Sequence, residues 1–335
     1  MEAQRRKSAV AWLSVISNTS LVAGKLVVGL FIGSVSVISE AIHSGVDLLA
    51  AVIALFAVKT SDKVADEEHP FGHGKIENIS GTAEAVLIFF AAGWIVYEAT
   101  DKLLAPQPIE AAGWGVGVML VSSVMNMIVS HRLFKVGKET DSIALQADAW
   151  HLRTDVYTSA GVMVGLGLIL AGERFLPGTN LLWLDPVAAI LVALMIVYAA
   201  WRLTVESGRD LLDASLPAEE TVWIQEHLRA VGRSVRGFHH LRTRKSGSHR
   251  FVEFHLVVDK NLSVEASHQL SDAVTRGIKE RLSGTTVTIH VEPCDGKCRP
   301  ACLEGCLLTE TERAAIQAQA SLHRQGKKTR GASQG

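Results

Sequence analysis

Cysteine is absent until Cys294, and the four that the chain has end at Cys306. No cysteine pair spans the sequence, so a disulfide framework is not expected. Metal or redox chemistry in a reducing compartment is the more natural use. A surplus of one charge is also missing. Thirty-three Lys and Arg against 34 Asp and Glu leave a net charge of −1, which gives no sign of a nucleic-acid partner. No His-Glu-x-x-His occurs, which removes the metalloprotease helix. A targeting segment is lacking too. Arg5, Arg6 and Lys7 precede an apolar run as in a signal peptide, but that run continues past Val22-Ala23-Gly24 to about Ile32. It is long enough to span a bilayer, so an uncleaved first helix is expected.

What the chain has is apolar sequence, 48% of 335 residues, concentrated before about Leu203. Six spans are expected, at about Ala9–Ile32, Val35–Val58, Ile79–Thr100, Ala112–Leu133, Ile143–Ala171 and Leu181–Leu203. Gly33-Ser34, Pro106 with Pro108, and Pro177-Gly178 mark the connecting loops. Arg5, Arg6, Lys7, Lys59, Lys63, Lys75, Arg132, Lys135 and Lys138 fall on one side, and only Lys102 and Arg174 on the other. That bias places both termini in the cytoplasm. The compact loops and absent targeting segment favour a bacterial inner membrane as host. Lys25 is expected to snorkel from the outer end of the first span.

Two of the spans carry the same motif. His43 and Asp47 stand four apart in the second, His151 and Asp155 four apart in the fifth. On a helix each pair shares one face. If the spans are antiparallel, each Asp lies ~18 Å into a core of ~30 Å, and His43 falls level with Asp155, Asp47 with His151. A midplane carboxylate costs ~2.5–3.5 kcal/mol on insertion scales and usually marks a pathway. One such pair is explained as an internally satisfied polar contact. Two pairs supply four nitrogen and oxygen donors, with charge to balance a divalent cation.

After Arg202 the sequence reads as a small soluble α/β domain: a helix from Pro217 to about Val231, strands His240–Thr243 and Phe251–Val258, a helix Val264–Leu282 and a strand Thr286–Val291. Period-two alternation puts Val252, Phe254, Leu256 and Val258 on the core face and His255 on the other. Likewise His290 and Glu292 oppose Val287, Ile289 and Val291. With His239, His240 and His268 nearby, these are either scattered surface histidines or convergent zinc-type ligands. The loop Asp66-Glu67-Glu68-His69-Pro70-Phe71-Gly72-His73-Gly74 is either an ordinary acidic loop or a second ligand set. Cys294, Cys298, Cys302 and Cys306, every four residues, suit zinc or a soft metal, or form a merely reduced tail. From Thr309 onward a polar, disordered tail is expected. The expected division is thus 1–208, 209–293 and 294–335.

Six spans, paired His-x-x-x-Asp, the Phe71-Gly72-His73-Gly74-Lys75 loop and a histidine-bearing α/β tail together resemble the cation diffusion facilitator family over about residues 8–293. The resemblance implies a six-helix membrane protein with a ferredoxin-like cytoplasmic domain. It also implies a homodimer that exports divalent metal, typically Zn2+, in exchange for protons. It assigns a transport site to His43, Asp47, His151 and Asp155, and a loop site to Asp66, His69 and His73. A cytoplasmic binuclear site falls to His239, His255, His268 and His290, with Glu292 where relatives often have a bridging Asp. Lys75 and Asp213 match a salt bridge that holds the family dimer. Many bacterial relatives carry Asp in place of His43, which leaves zinc, cadmium, cobalt, ferrous iron and manganese open. A metal receptor without transport is the rival reading. The resemblance gives the cysteines no role.

Overall fold

The computed structural model describes residues 2–32, 35–104, 113–175, 183–232 and 234–331. The expected links at Gly33-Ser34, Pro106 with Pro108, and Pro177-Gly178 lie outside the described residues. Two compact units make up the chain, Met1–Leu212 and Asp213–Gly335.

The first unit consists of α1 (Glu2–Ile32), α2 (Val35–Ser61), α3 (Lys75–Leu104), α4 (Gly113–Glu139), α5 (Ile143–Phe175) and α6 (Leu184–Leu211). Five of the six run well past the apolar stretch that announces them. Lys59, Lys102, Lys138 and Arg209 sit in last turns, where the negative end of the helix dipole favours a cation and lets the helix continue. The last of the six helices, α6, ends at Leu211, one residue before the division between the units. Among the described residues, four helices are long and apolar enough to cross a membrane: α1, α2, α3 and α6.

Inside this unit the seams are lined by small residues. Ala11, Ala57, Ala144 and Ala149 pack with Leu55, Leu133 and Leu152 between α1, α2, α4 and α5. Ala85, Ala92, Ala147 and Ala200 do so with Ile88, Ile143 and Ile196 between α3, α5 and α6. Lipid tails are as apolar as leucine, so helix association in a bilayer depends on such close contact. At Gly81 an added Cβ would meet the Ser207 Oγ at 2.7 Å and Ile143 Cγ2 at 2.8 Å, so a larger residue there would have to push those two side chains aside. Large apolar groups such as Phe31, Phe90, Leu191 and Tyr198 point outward.

Some of the polar groups buried in the bundle bridge its helices. Glu77, fully buried, accepts from the Lys7 Nζ at 3.0 Å, the Ser61 Oγ at 2.9 Å and the Ser142 Oγ at 2.6 Å. Lys25 departs from expectation. It does not snorkel but is buried, donating to the Ser44 Oγ of α2 at 2.8 Å. With a hydroxyl acceptor one helix away, the ammonium has no need to reach the interface.

The second unit begins with α7 (Ala218–Ala230), then β1 (Val235–Ser246), β2 (His249–Val258), α8 (Val264–Arg281) and β3 (Thr285–Pro293). The sheet order is β1-β2-β3. β1 and β2 pair antiparallel about the turn at Gly247-Ser248, and β3 returns parallel to β2 across α8. This is the expected small α/β domain. Val252, Phe254, Leu256 and Val258 face Ile224 and Leu228 of α7 and Val274 and Ile278 of α8, which leaves the opposite sheet face for other chemistry. Arg250 clamps Glu220 with two bonds, 2.9 and 2.7 Å, and so ties β2 to α7.

The C-terminal part differs from expectation. Residues 294–335 fall in the same unit as the sheet, with a short α9 (Pro300–Glu304) and a long α10 (Glu310–Gly331) where a disordered tail is expected. α10 opens on a capping box: Glu312 donates its backbone N–H to the Thr309 Oγ at 3.3 Å, and the Glu312 carboxylate accepts from the Thr309 N–H at 2.9 Å.

Candidate metal sites

Within the first unit, α2 supplies His43 and Asp47 and α5 supplies His151 and Asp155, each pair one helical turn apart. Helices α2 and α5 pack against each other, and the two pairs meet. His43 Nε2 lies 3.8 Å from Asp155 Oδ1, and His151 Nε2 lies 3.2 Å from Asp47 Oδ1. His43, Asp47 and Asp155 offer ligand atoms all within 4.8 Å of one another, and His151 joins the group through Asp47. Asp47 and His151 are buried (side chains 5% and 6% exposed), Asp155 is 20% and His43 55% exposed. The set is therefore sealed on one side and open on the other. Asn126 of α4, which nothing in the sequence singles out, donates its Nδ2 to the Asp155 Oδ2 at 3.4 Å. A neighbour of this kind fixes which carboxylate oxygen remains free for an ion.

The loop between α2 and α3 gathers a second group. Asp66 Oδ1 accepts the His69 backbone N–H at 2.7 Å, and Asp66 Oδ2 lies 3.4 Å from the His73 Nε2. Ligand atoms of Asp66, His69 and His73 are mutually within 4.8 Å. That His69 N–H, with the nearby imidazoles, holds the Asp66 carboxyl below its ordinary range and keeps it anionic at neutral pH.

On the exposed sheet face of the second unit, register places His239 opposite His255 and His255 opposite His290. Glu292 reaches the His239 Nε2 at 2.8 Å and the His255 Nδ1 at 3.6 Å. His239, His255 and Glu292 hold ligand atoms within 4.8 Å of one another, and the His290 ring centroid is 4.7 Å from that of His255. Burial pushes the His239 imidazole below its usual pKa against the pull of Glu292, which favours the neutral, metal-binding form. His268 is not gathered in. It stands exposed on α8 with Asp272 at 3.6 Å.

The family resemblance assigns His240 no place in the cytoplasmic site, and in a regular strand it would face away from His239. Here the register slips between His239 and Arg242, and His240 takes a φ of +52°. This bulge turns both rings to one face, with centroids 5.1 Å (His239) and 5.0 Å (His240) from that of His255. Two neighbouring histidines at a strand end were the available hint.

Residues 11–212 match the family model of the cation efflux transmembrane domain, and residues 216–294 that of the cation efflux protein cytoplasmic domain. The transporter sll1263 of Synechocystis sp. is 38% identical over 264 residues, covering 78% of this chain and 83% of that protein. The cation-efflux pump FieF of Klebsiella pneumoniae is 34% identical over 284 residues, covering 84% and 92%. The solved Zn form of CzrB shares 40% identity with 25% of this chain and covers 97% of that one, with a TM-score of 0.24.

Proposed function

The chain belongs to the cation efflux family, the cation diffusion facilitators, and on that premise we propose that it exports Zn2+ from the cytoplasm in exchange for protons. It is a membrane protein and a transporter, not an enzyme. The observation that carries the reading is the meeting of His43, Asp47 and Asp155 within 4.8 Å, with His151 on Asp47, between two helices of a membrane bundle.

Two imidazoles and two carboxylates suit four-coordinate zinc better than manganese or magnesium, which prefer oxygen-rich octahedral sites. Cadmium, cobalt and ferrous iron are secondary substrates on the same grounds. The ion needs neutral imidazoles and ionised carboxylates, so protons compete for the same lone pairs. Facing the cytoplasm, the four residues trade protons for metal, and facing outward they take protons back and release it. Alternating access follows from rocking of α2 and α5 against their neighbours about this point. The protein works as a homodimer in the inner membrane with both termini in the cytoplasm. Asp66, His69 and His73 form a loop site on that side. His239, His255, His290 and Glu292, with His268 brought in from α8, sense metal and shift the equilibrium by their differential affinity.

Asp155→Ala in proteoliposomes under an imposed pH gradient tests the transport site, with zinc, cadmium, iron, cobalt and manganese compared. Loss of zinc flux with the oligomer intact is expected, and undiminished flux removes the assignment. The cluster of the second unit favours one rival, a receptor that binds metal without moving it. Metal-dependent proton release with no vesicle uptake would establish that instead.

A further inference from the structure

Helix α4 belongs to the matched transmembrane domain and shows two faces. Val121, Val124, Met127 and Ile128 are exposed, as lipid-facing groups are, while Ser122, Asn126 and Ser130, spaced by four, are buried. Ser130 satisfies its own hydroxyl by donating to the Met127 carbonyl at 3.1 Å. The Ser122 Oγ and the Asn126 Oδ1 find no hydrogen-bond partner among the described residues. A buried polar atom left unpaired is costly, and more so inside a bilayer. The change Asn126→Leu would fill a similar volume and leave no oxygen unpaired. What asparagine has and leucine lacks is the Nδ2 bond to the Asp155 Oδ2, at 3.4 Å.

That bond divides the two oxygens of Asp155 between helices. Oδ2 is turned to α4, and Oδ1 is turned to α2, where the His43 Nε2 lies 3.8 Å away. A carboxylate held through one oxygen presents the other alone, so it meets an ion with a single atom. One atom from each of His43, Asp47, His151 and Asp155 makes four donors, the number that zinc takes. Manganese prefers an oxygen-rich octahedral shell, and a carboxylate able to bind through both oxygens moves the set toward that number.

We propose that Asn126 is a positioning residue for metal choice: it holds the Asp155 Oδ2, leaves Oδ1 alone to the ion, and so biases the set toward four-coordinate Zn2+ and against Mn2+. The inference rests on the reading of His43, Asp47, His151 and Asp155 as the transport site. It adds to that reading a residue from a third helix that supplies no ligand of its own.

The test compares Zn2+ and Mn2+ uptake by the full chain in proteoliposomes under an imposed pH gradient, with kcat/KM taken for each ion. Asn126→Leu removes the donor and keeps the bulk. Its ratio of zinc to manganese kcat/KM should fall ~10-fold or more, mostly through loss of zinc transport. Where the parent moves no measurable manganese, the appearance of manganese uptake in the variant is the readout. Asn126→Ser, which keeps a shorter donor, should fall between the parent and Asn126→Leu, and should the latter not fold, a lowered ratio in Asn126→Ser decides alone. A parental ratio, or an equal loss for both ions, overturns the proposal. Manganese lost ahead of zinc also overturns it, and would mark the Asn126 carbonyl oxygen as a ligand. Asp155→Ala, run alongside, separates the two failures. Flux retained there removes the transport site itself, whereas flux abolished there with a parental ratio in Asn126→Leu removes only the role of Asn126.

Discussion

Lys7→Met tests whether the buried charge cluster at the Lys7 end of the bundle holds the helices together. Lys7 and Glu77 are 3% and 0% exposed with Nζ and Oε1 3.0 Å apart. At an effective dielectric of ~20, unit charges at that distance attract by ~5–6 kcal/mol, and desolvation offsets much of it. Removing one partner is a different matter. Lys7→Met leaves the Glu77 carboxylate to the hydroxyls of Ser61 and Ser142, with no other cation paired with it among the described residues. An uncompensated buried charge costs ~3–5 kcal/mol. Glu77→Gln takes from Lys7 its closest carboxylate and leaves it others, Asp62 at 3.9 Å among them, so it should cost somewhat less. The double variant buries no unmatched charge at this point, so it should be less destabilised than the two singles added together, by ~2–3 kcal/mol. Thermal and denaturant unfolding in lipid–detergent micelles, followed by tryptophan fluorescence, reads all four corners of the cycle. Strict additivity, or single variants within ~0.5 kcal/mol of the parent, would refute the reasoning. The network joins α1, α2, α3 and the start of α5, so weakened variants should also lose flux through a displaced α2–α5 pair.

Three further outcomes are expected. His255→Ala, which removes the imidazole shared by both strand pairings, should weaken zinc binding by the full chain ~10–100-fold at one class of site, read by calorimetry against the parent. Asp259 bonds Arg236 at 2.8 Å and accepts the Asn261 N–H at 2.8 Å, and that backbone bond first, then Arg236, lowers its pKa. A depressed carboxylate adds stability that is present above its unfolded pKa of ~3.9 and is lost as pH falls through the lower folded value. The acid limb of unfolding should therefore flatten in Asp259→Asn below about pH 4, and an unchanged limb counts against the contact. Thr309→Ala removes the α10 cap and should cost that helix about 1 kcal/mol, visible as reduced helical circular dichroism.

Much of this molecule is legible in order of residues. Hydropathy runs mark six helices, and the four-residue spacing of His43 with Asp47 and of His151 with Asp155 fixes one face on each. Strand alternation separates His255, His290 and Glu292 from the core of the second unit. These are local properties, because periodicity is written in neighbours along the chain. The tail is less legible, for the opposite reason. Its polar composition suggests disorder, while a single reciprocal pair, Thr309 with Glu312, is enough to start a helix.

Sequence by itself determined that ligands of zinc type stand at helical and strand spacing in a membrane protein with a small α/β domain. Only tertiary structure decided which of them meet. Packing of α2 on α5 brings His43 to Asp155 and His151 to Asp47, a bulge turns His240 onto the face of His239, and α8 holds His268 away with Asp272. The segment that carries the cysteines lies against β1 because Gly237 and Gly305 permit backbones to touch. Spacing constrains direction from one backbone, but an ion needs several backbones within a few ångströms, and that distance exists only after the chain has packed.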